Sequence, residues 1–90
     1  MIEWLKTELL SEVAGTFKAM NQDDEDSVAD HLATVLAAAF ILGKRLGISF
    51  ARLDLKARNK IKANIESEHQ IEQWFGDFSA LLRYLEEGKR

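Results

Sequence analysis

The fold is decided by a nearly uninterrupted apolar stretch, VADHLATVLAAAFILG, which spans residues 28–43. Its apolar residues fall on almost every side of a helical wheel, and a helix of that kind must be enclosed by other helices. Asp30, His31 and Thr34 interrupt the stretch, which therefore predicts a core helix and no membrane span. We expect an all-α protein built around this helix.

Amphipathic helices are predicted on both sides of the core helix. Before it, apolar residues recur every three or four positions and predict a helix over residues 2–20: Ile2, Leu5, Leu9, Val13, Phe17 and Met20. The core helix should start near residue 25, with Asp23 or Asp24 as its N-cap, and end before a left-handed Gly47.

Two further helical regions follow the core helix. Ser49 is the expected cap of a third helix, whose apolar stripe continues to Ile65. The periodicity weakens over residues 66–70, and a fourth region follows over residues 71–85, with Gly76 as a kink or a boundary. The last residues, from Glu86, are expected to fray.

The expected architecture is a four-helix bundle in a single domain, residues 1–90, completed by homo-oligomerisation. Three amphipathic helices of this length cover an all-round apolar helix only partly, and a second copy supplies the remainder. The small side chains of Ala33, Ala37 and Ala38 predict a surface on which two core helices approach closely.

Composition narrows the class of protein. The 90 residues contain no cysteine and no proline, which excludes disulfide-stapled modules, thiolate zinc sites and thiol catalysis. The N-terminus lacks the pattern of a signal peptide, so we expect a cytoplasmic protein. Walker, Rossmann, nucleophile-elbow and zinc-ligand motifs are not found in the sequence.

Charge is divided unevenly along the chain. Residues 1–43 carry −6, residues 44–62 carry +6 and residues 63–90 carry −3, which gives the total of −3. An acidic stretch followed by a basic one suits a cation together with an anionic ligand, while no nucleic acid polymer is expected as a partner. The alternative is that these charges cover solvated helix faces.

Two pairs of carboxylates form candidate metal ligands. Glu8 and Glu12 on the first helix, and Asp26 and Asp30 on the second, are each four residues apart and therefore share a helical face. Carboxylates between bundle helices bind hard cations such as Mg²⁺. Alternatively, Glu8 is solvated and Asp26 only stabilises the start of the second helix. Asp30 lies inside the apolar stretch, where a buried carboxylate needs a cation, a basic partner or a proton.

Three segments resemble MazG-type nucleotide pyrophosphohydrolases, and the likeness extends over most of the chain. LSEVAGTFKAM, residues 10–20, resembles the first motif of that family, and DSVADHL, residues 26–32, resembles the second. QIEQWFGDFSALL, residues 70–82, looks like the tail of a MazG-like branch in bacteria. The resemblance implies all-α dimers or tetramers that hydrolyse nucleoside triphosphates to monophosphate and pyrophosphate. Their Mg²⁺ is held by an E-E-x-x-E motif and an E-x-x-D motif.

This chain departs from both motifs. Glu12 matches the first glutamate of the first motif, but Val13 and Thr16 stand where the other two would be. Asp30 matches the aspartate of the second motif, but Ser27 stands in place of its glutamate. Three of the five acids of these motifs are missing, so the site has either shifted to a set of four acids or been lost. That set is Glu8, Glu12, Asp26 and Asp30.

The resemblance also implies a substrate-binding element on the third helix. There Lys60 would meet phosphate oxygens and Asn64 the nucleotide or a phosphate. The arginine expected soon after the asparagine is absent, since residues 66–68 are Glu, Ser and Glu. The alternative is a solvated basic face over residues 56–62.

Two functions therefore stand side by side. One is a Mg²⁺-dependent pyrophosphohydrolase, with Mn²⁺ as a substitute ion, in which Asp30 and Glu12 are the catalytic residues. The other keeps the fold as a non-catalytic interaction or structural module. His31 and His69 are predicted to be surface or hydrogen-bonded structural residues in either case.

Overall fold

The protein is all-α, as predicted. The computed structural model describes residues 1–67 and 70–88, with the side chain of residue 72 left out. Within those residues it contains no strand and five helices: α1 Ile2–Asn21, α2 Glu25–Arg45, α3 Phe50–Glu66, α4 Gln70–Phe75 and α5 Asp77–Glu87. They fall into two compact units, Met1–Phe50 and Ala51–Arg90. The expected single domain stays a prediction.

The first unit is an antiparallel hairpin of α1 and α2. Only residues 22–24 join the two helices, and so short a connection returns the chain alongside itself. Asp23 adopts a left-handed conformation, with φ of 54°. Asp24 caps α2, and its side chain accepts a hydrogen bond of 3.1 Å from the backbone N–H of Ser27. The predicted N-cap at this turn is confirmed.

Mostly small residues form the buried seam of the hairpin. Leu5, Thr16 and Ala19 of α1 are buried, as are Ala38 and Gly43 of α2. Ala38 therefore faces α1 of its own chain, whereas we expected it on a surface between two copies. The prediction was wrong for Ala38, because the wheel of an all-round apolar helix does not show which side its neighbour in the chain covers. Ala33 and Ala37 are exposed, and their place between two copies stays a prediction.

The end of α2 follows the predicted pattern. Gly47 has a φ of 92°, the left-handed conformation expected after the helix. The backbone N–H of Ile48 donates to the carbonyl of Gly43 at 2.8 Å. The chain then brings Phe50 against Phe40, with ring centroids 6.1 Å apart, and the ammonium of Lys44 lies 5.1 Å from the Phe50 ring centroid. These contacts close the first unit.

Little of α2 is covered within one chain. Its most apolar window has a mean hydropathy of 1.3, and only 11% of that window is buried. By length and composition alone α2 is able to cross a membrane, a test that the core helix of a soluble bundle also passes. The expected absence of a membrane span stays a prediction.

The second unit contains most of the basic segment. Ile61 of α3 is buried, and Arg58 pairs with Asp54 at 3.3 Å along the same helix. Lys62 lies 3.9 Å from Glu86 of α5. Gly76, with a φ of 65°, separates α4 from α5. The predicted fourth region is therefore two helices, because the left-handed residue ends the first.

Candidate functional site

One carboxylate of the predicted metal set lies in the seam of the hairpin. Oε2 of Glu12 on α1 lies 2.5 Å from Nδ1 of His31 on α2. The Glu12 side chain is 19% exposed and that of His31 33%, so the pair is partly shielded from water. An ionised carboxylate only accepts hydrogen bonds, so His31 is the donor. The predicted structural role of His31 as a hydrogen-bonded residue is confirmed.

Gly15 makes room for this pair. A Cβ atom at position 15 would lie 2.7 Å from Cε1 and 2.9 Å from Nδ1 of His31. Atoms do not approach so closely, so the ring occupies space that any other residue at position 15 would take. Gly15 lies three residues after Glu12, on the next turn of α1.

The other first-motif positions offer no acidic ligand. Val13 is apolar and half-buried, and Thr16 is buried. The Thr16 hydroxyl donates a 2.8 Å hydrogen bond to the backbone carbonyl of Glu12, within the helix. Mg²⁺ prefers several oxygen ligands in octahedral geometry. The residues at these motif positions therefore do not fit the ion that the resemblance implies.

Asp26 and Asp30 are both exposed on α2. Burial was expected for Asp30, and that expectation is wrong for the single chain. Its position is about 100° around the helix from His31, which faces α1. The carbonyl of Asp30 accepts from the Thr34 hydroxyl at 3.1 Å, while its carboxylate has no partner among the described residues. An exposed carboxylate carries no cost that a cation would have to offset.

Glu8 borders an apolar recess on the hairpin. The recess has a volume of about 130 Å³. Its lining consists of Trp4, Leu5, Glu8, Thr34, Ala37, Ala38 and Ile41. Glu8 is half-buried, and its carboxylate has no partner in the described part of the chain.

The four predicted acids do not form a cluster in one chain. Across residues 1–67 and 70–88, no three His, Asp or Glu side chains lie together as a metal site requires. The structure does pack the segment containing Glu12 against the segment containing Asp30, because His31 is the contact. The four-acid metal site stays a prediction.

The predicted substrate residues belong to the second unit. Lys60 is exposed and borders a shallow recess of about 240 Å³ together with Lys56, Asn59 and Ala63. Asn64 is half-buried, and its carbonyl accepts a 3.3 Å hydrogen bond from the hydroxyl of Ser67. Asn59 is the amide that shares the recess, and its spacing of three residues from Lys56 and four from Ala63 on the same helix is the signal that could have indicated it. His69 lies outside the described residues.

Comparison with known protein families matches a segment that covers the hairpin and continues into the second unit. A family model described as the MazG-like family matches residues 1–78. The chain belongs to the MazG-like family. No curated protein and no solved structure gives a significant match.

Both motif segments of this MazG-like chain lie on helices that face each other. The match runs from α1 through α4 and ends near the start of α5. It supports a resemblance to nucleoside triphosphate pyrophosphohydrolases at the level of the family. At the motif positions where the family resemblance implies acids that hold Mg²⁺, this MazG-like protein has other residues in part. The acid that it retains in the first motif, Glu12, is hydrogen-bonded to His31.

Proposed function

We propose that this protein is a cytoplasmic, homo-oligomeric helical module of the MazG-like fold, in which metal-dependent nucleotide hydrolysis is reduced or lost. The observation that carries the proposal is the exposed apolar surface of the hairpin. It includes side chains that are half to three-quarters exposed: Leu10, Phe17, Met20, Leu32 and Leu36.

These side chains share one side of the hairpin. Leu10 and Phe17 are seven residues apart, so they lie about 20° apart around α1. Leu32 and Leu36 are four apart on α2 and lie about 40° apart around that helix. Recesses lined by residues of both helices accompany these rows: one includes Met20 and Val28, and another includes Leu10 and Leu42. We call these five side chains the apolar face.

A second copy is the partner that this face fits best. Two hairpins that pair through the same surface around a two-fold axis form a four-helix bundle, and each copy covers the other equally. Exposed apolar surface of this extent is uncommon on monomeric proteins. The dimers or tetramers that the family resemblance implies would likewise cover an apolar surface of each copy.

A second candidate is an active pyrophosphohydrolase that converts nucleoside triphosphates to monophosphate and pyrophosphate. The carboxylates of Glu8 and Asp30, which have no partner among the described residues, favour it, because both remain available to a cation. In that candidate Glu12, Asp26 and Asp30 contribute with Glu8 to a Mg²⁺ or Mn²⁺ site. In the same candidate Lys60 binds phosphate oxygens and Asn64 binds the nucleotide or a phosphate.

One experiment separates the two candidates. The purified full chain is incubated with a panel of canonical and damaged nucleoside triphosphates and Mg²⁺ or Mn²⁺. Pyrophosphate release and melting temperature are measured, and light scattering gives the mass of the same sample. We expect a multimer that releases no pyrophosphate and shows no nucleotide-dependent thermal shift.

The contrary results point to different faults in the proposal. Turnover that disappears in Asp30→Ala, with the multimer intact, establishes the enzyme in place of the module. A strictly monomeric mass at high protein concentration contradicts the assembly. Partition into lipid vesicles instead of self-association contradicts the assignment of a second copy to the apolar face.

A further inference from the structure

We propose that His31 takes the place of the metal ion as the partner of Glu12, so that the hairpin holds its seam carboxylate without a divalent cation. The inference rests on the proposed loss of the metal centre. It adds which residue stabilises the Glu12 carboxylate in place of the ion. Its basis is the contact of 2.5 Å between Nδ1 of His31 and Oε2 of Glu12 across α1 and α2.

The seam carboxylate needs a partner. Glu12 is 19% exposed, and a carboxylate withdrawn from water loses hydration that a hydrogen-bond donor or a cation must replace. Hydrogen bonds with a charged partner are among the stronger ones in proteins. His31 supplies that donor from the facing helix, so Glu12 is satisfied inside one chain.

Room for the imidazole depends on Gly15. The ring lies where a Cβ of residue 15 would be, at 2.7 Å from Cε1. Glu12 and Gly15 are three residues apart on one side of α1, and His31 reaches both from α2. The three residues therefore depend on one another: Gly15 leaves the space in which the His31 ring reaches the Glu12 carboxylate.

An ion at Glu12 would find few other ligands nearby. Val13 has no ligand atom, and the Thr16 hydroxyl is bound to the carbonyl of Glu12. Asp30 precedes His31 and lies about 100° away around α2. An ion would have to displace His31 and would gain a single carboxylate ligand there. His31 is therefore the more favourable partner for the Glu12 carboxylate.

Binding of Mn²⁺ to the intact protein is the first test. Mn²⁺ is titrated without nucleotide into the wild-type chain and into Glu12→Gln, which keeps the size of the side chain and an acceptor for His31. Free Mn²⁺ is followed by its electron paramagnetic resonance signal. We expect the same binding curve for both proteins, and a loss of Mn²⁺ binding in Glu12→Gln overturns the proposal.

Two substitutions of His31 form the second test. His31→Ala removes the donor, whereas His31→Asn places an amide N–H₂ near the position of Nδ1. We expect His31→Ala to melt at a lower temperature and to recover part of the loss when Mn²⁺ is added. His31→Asn should melt closer to the wild type and respond no more than the wild type to the ion.

The recovery has to depend on Glu12. In the double variant that combines Glu12→Gln with His31→Ala, Mn²⁺ should restore nothing. If folded His31→Ala does not respond to Mn²⁺, the imidazole is not standing in for a cation and the proposal is wrong. If His31→Ala does not fold, the Mn²⁺ comparison of the wild type with Glu12→Gln decides. Nucleotide turnover that survives in Glu12→Gln would refute the loss of hydrolysis and leave the role of His31 intact.

Discussion

A single pair of side chains, Glu12 and His31, distinguishes this hairpin from the metal site that its family resemblance implies. Their contact joins positions 19 residues apart in sequence. The register was open to prediction to within one helical turn, because residues at similar distances from a short turn lie near each other in an antiparallel hairpin. Residue 12 lies ten positions before the turn residues 22–24 and residue 31 lies seven positions after them, and Leu5 and Ala38 show the same offset. The rotation of each helix was not open to prediction, and it decides that His31 and not Asp30 faces the seam.

Gly15→Ala tests this arrangement at the scale of one methyl group. In an open helical position the substitution stabilises by about 1 kcal/mol. Here the added Cβ meets the His31 ring at 2.7 Å, and overpacking costs about 1–3 kcal/mol. We expect a net loss of stability of about 1 kcal/mol, measured by thermal or urea unfolding.

The control for Gly15→Ala is the same change made in His31→Ala. With the ring absent, the extra methyl group has space, and the substitution should become neutral or stabilising. Such a sign change marks direct coupling between the two positions. A higher melting temperature for Gly15→Ala in the wild-type background would contradict the close packing seen here.

Helix boundaries were predicted well because their causes are local. Apolar periodicity located α1, α2 and α3 to within a few residues, and the left-handed conformation of Gly47 ends α2 as expected. The sequence left open whether Gly76 is a kink or a boundary within residues 71–85, because apolar periodicity continues through a single left-handed residue. The structure shows a boundary, with α4 and α5 as separate helices.

The N-cap of α2 gives a prediction for an element. Asp24→Ala removes the acceptor of the Ser27 backbone N–H and should lower the stability of the hairpin by about 1 kcal/mol. In a protein of this size that corresponds to a melting temperature about 4–8 °C lower. Asp24→Asn retains an oxygen acceptor and should stay close to the wild type. Equal losses in both variants would show that the charge of Asp24, and not its capping hydrogen bond, stabilises α2.

At the scale of the whole molecule, the apolar face predicts how the protein assembles. Leu10 is 73% exposed on α1, and Leu10→Glu would place a charge within the proposed contact. We expect this variant to shift from multimer to monomer, as measured by light scattering over a range of concentrations.

The neighbouring residue provides the matched control. Ser11 is also exposed, but it lies about 100° further around α1, away from the apolar face. Ser11→Glu introduces the same charge and should leave the mass unchanged. An unchanged mass for Leu10→Glu, or equal dissociation in both variants, would place the contact between copies on another surface.

Helix type, helix ends, the N-cap at Asp24 and the family resemblance all followed from the order of residues, because each depends on neighbours within a few positions. The partner of Glu12, the exposure of Asp30 and the inward direction of Ala38 required the packed hairpin. Those properties depend on how each helix is rotated against the other, and an all-round apolar helix such as α2 leaves that rotation open. The close fit of His31 over Gly15 and of small residues along the seam determines which side of α2 faces α1.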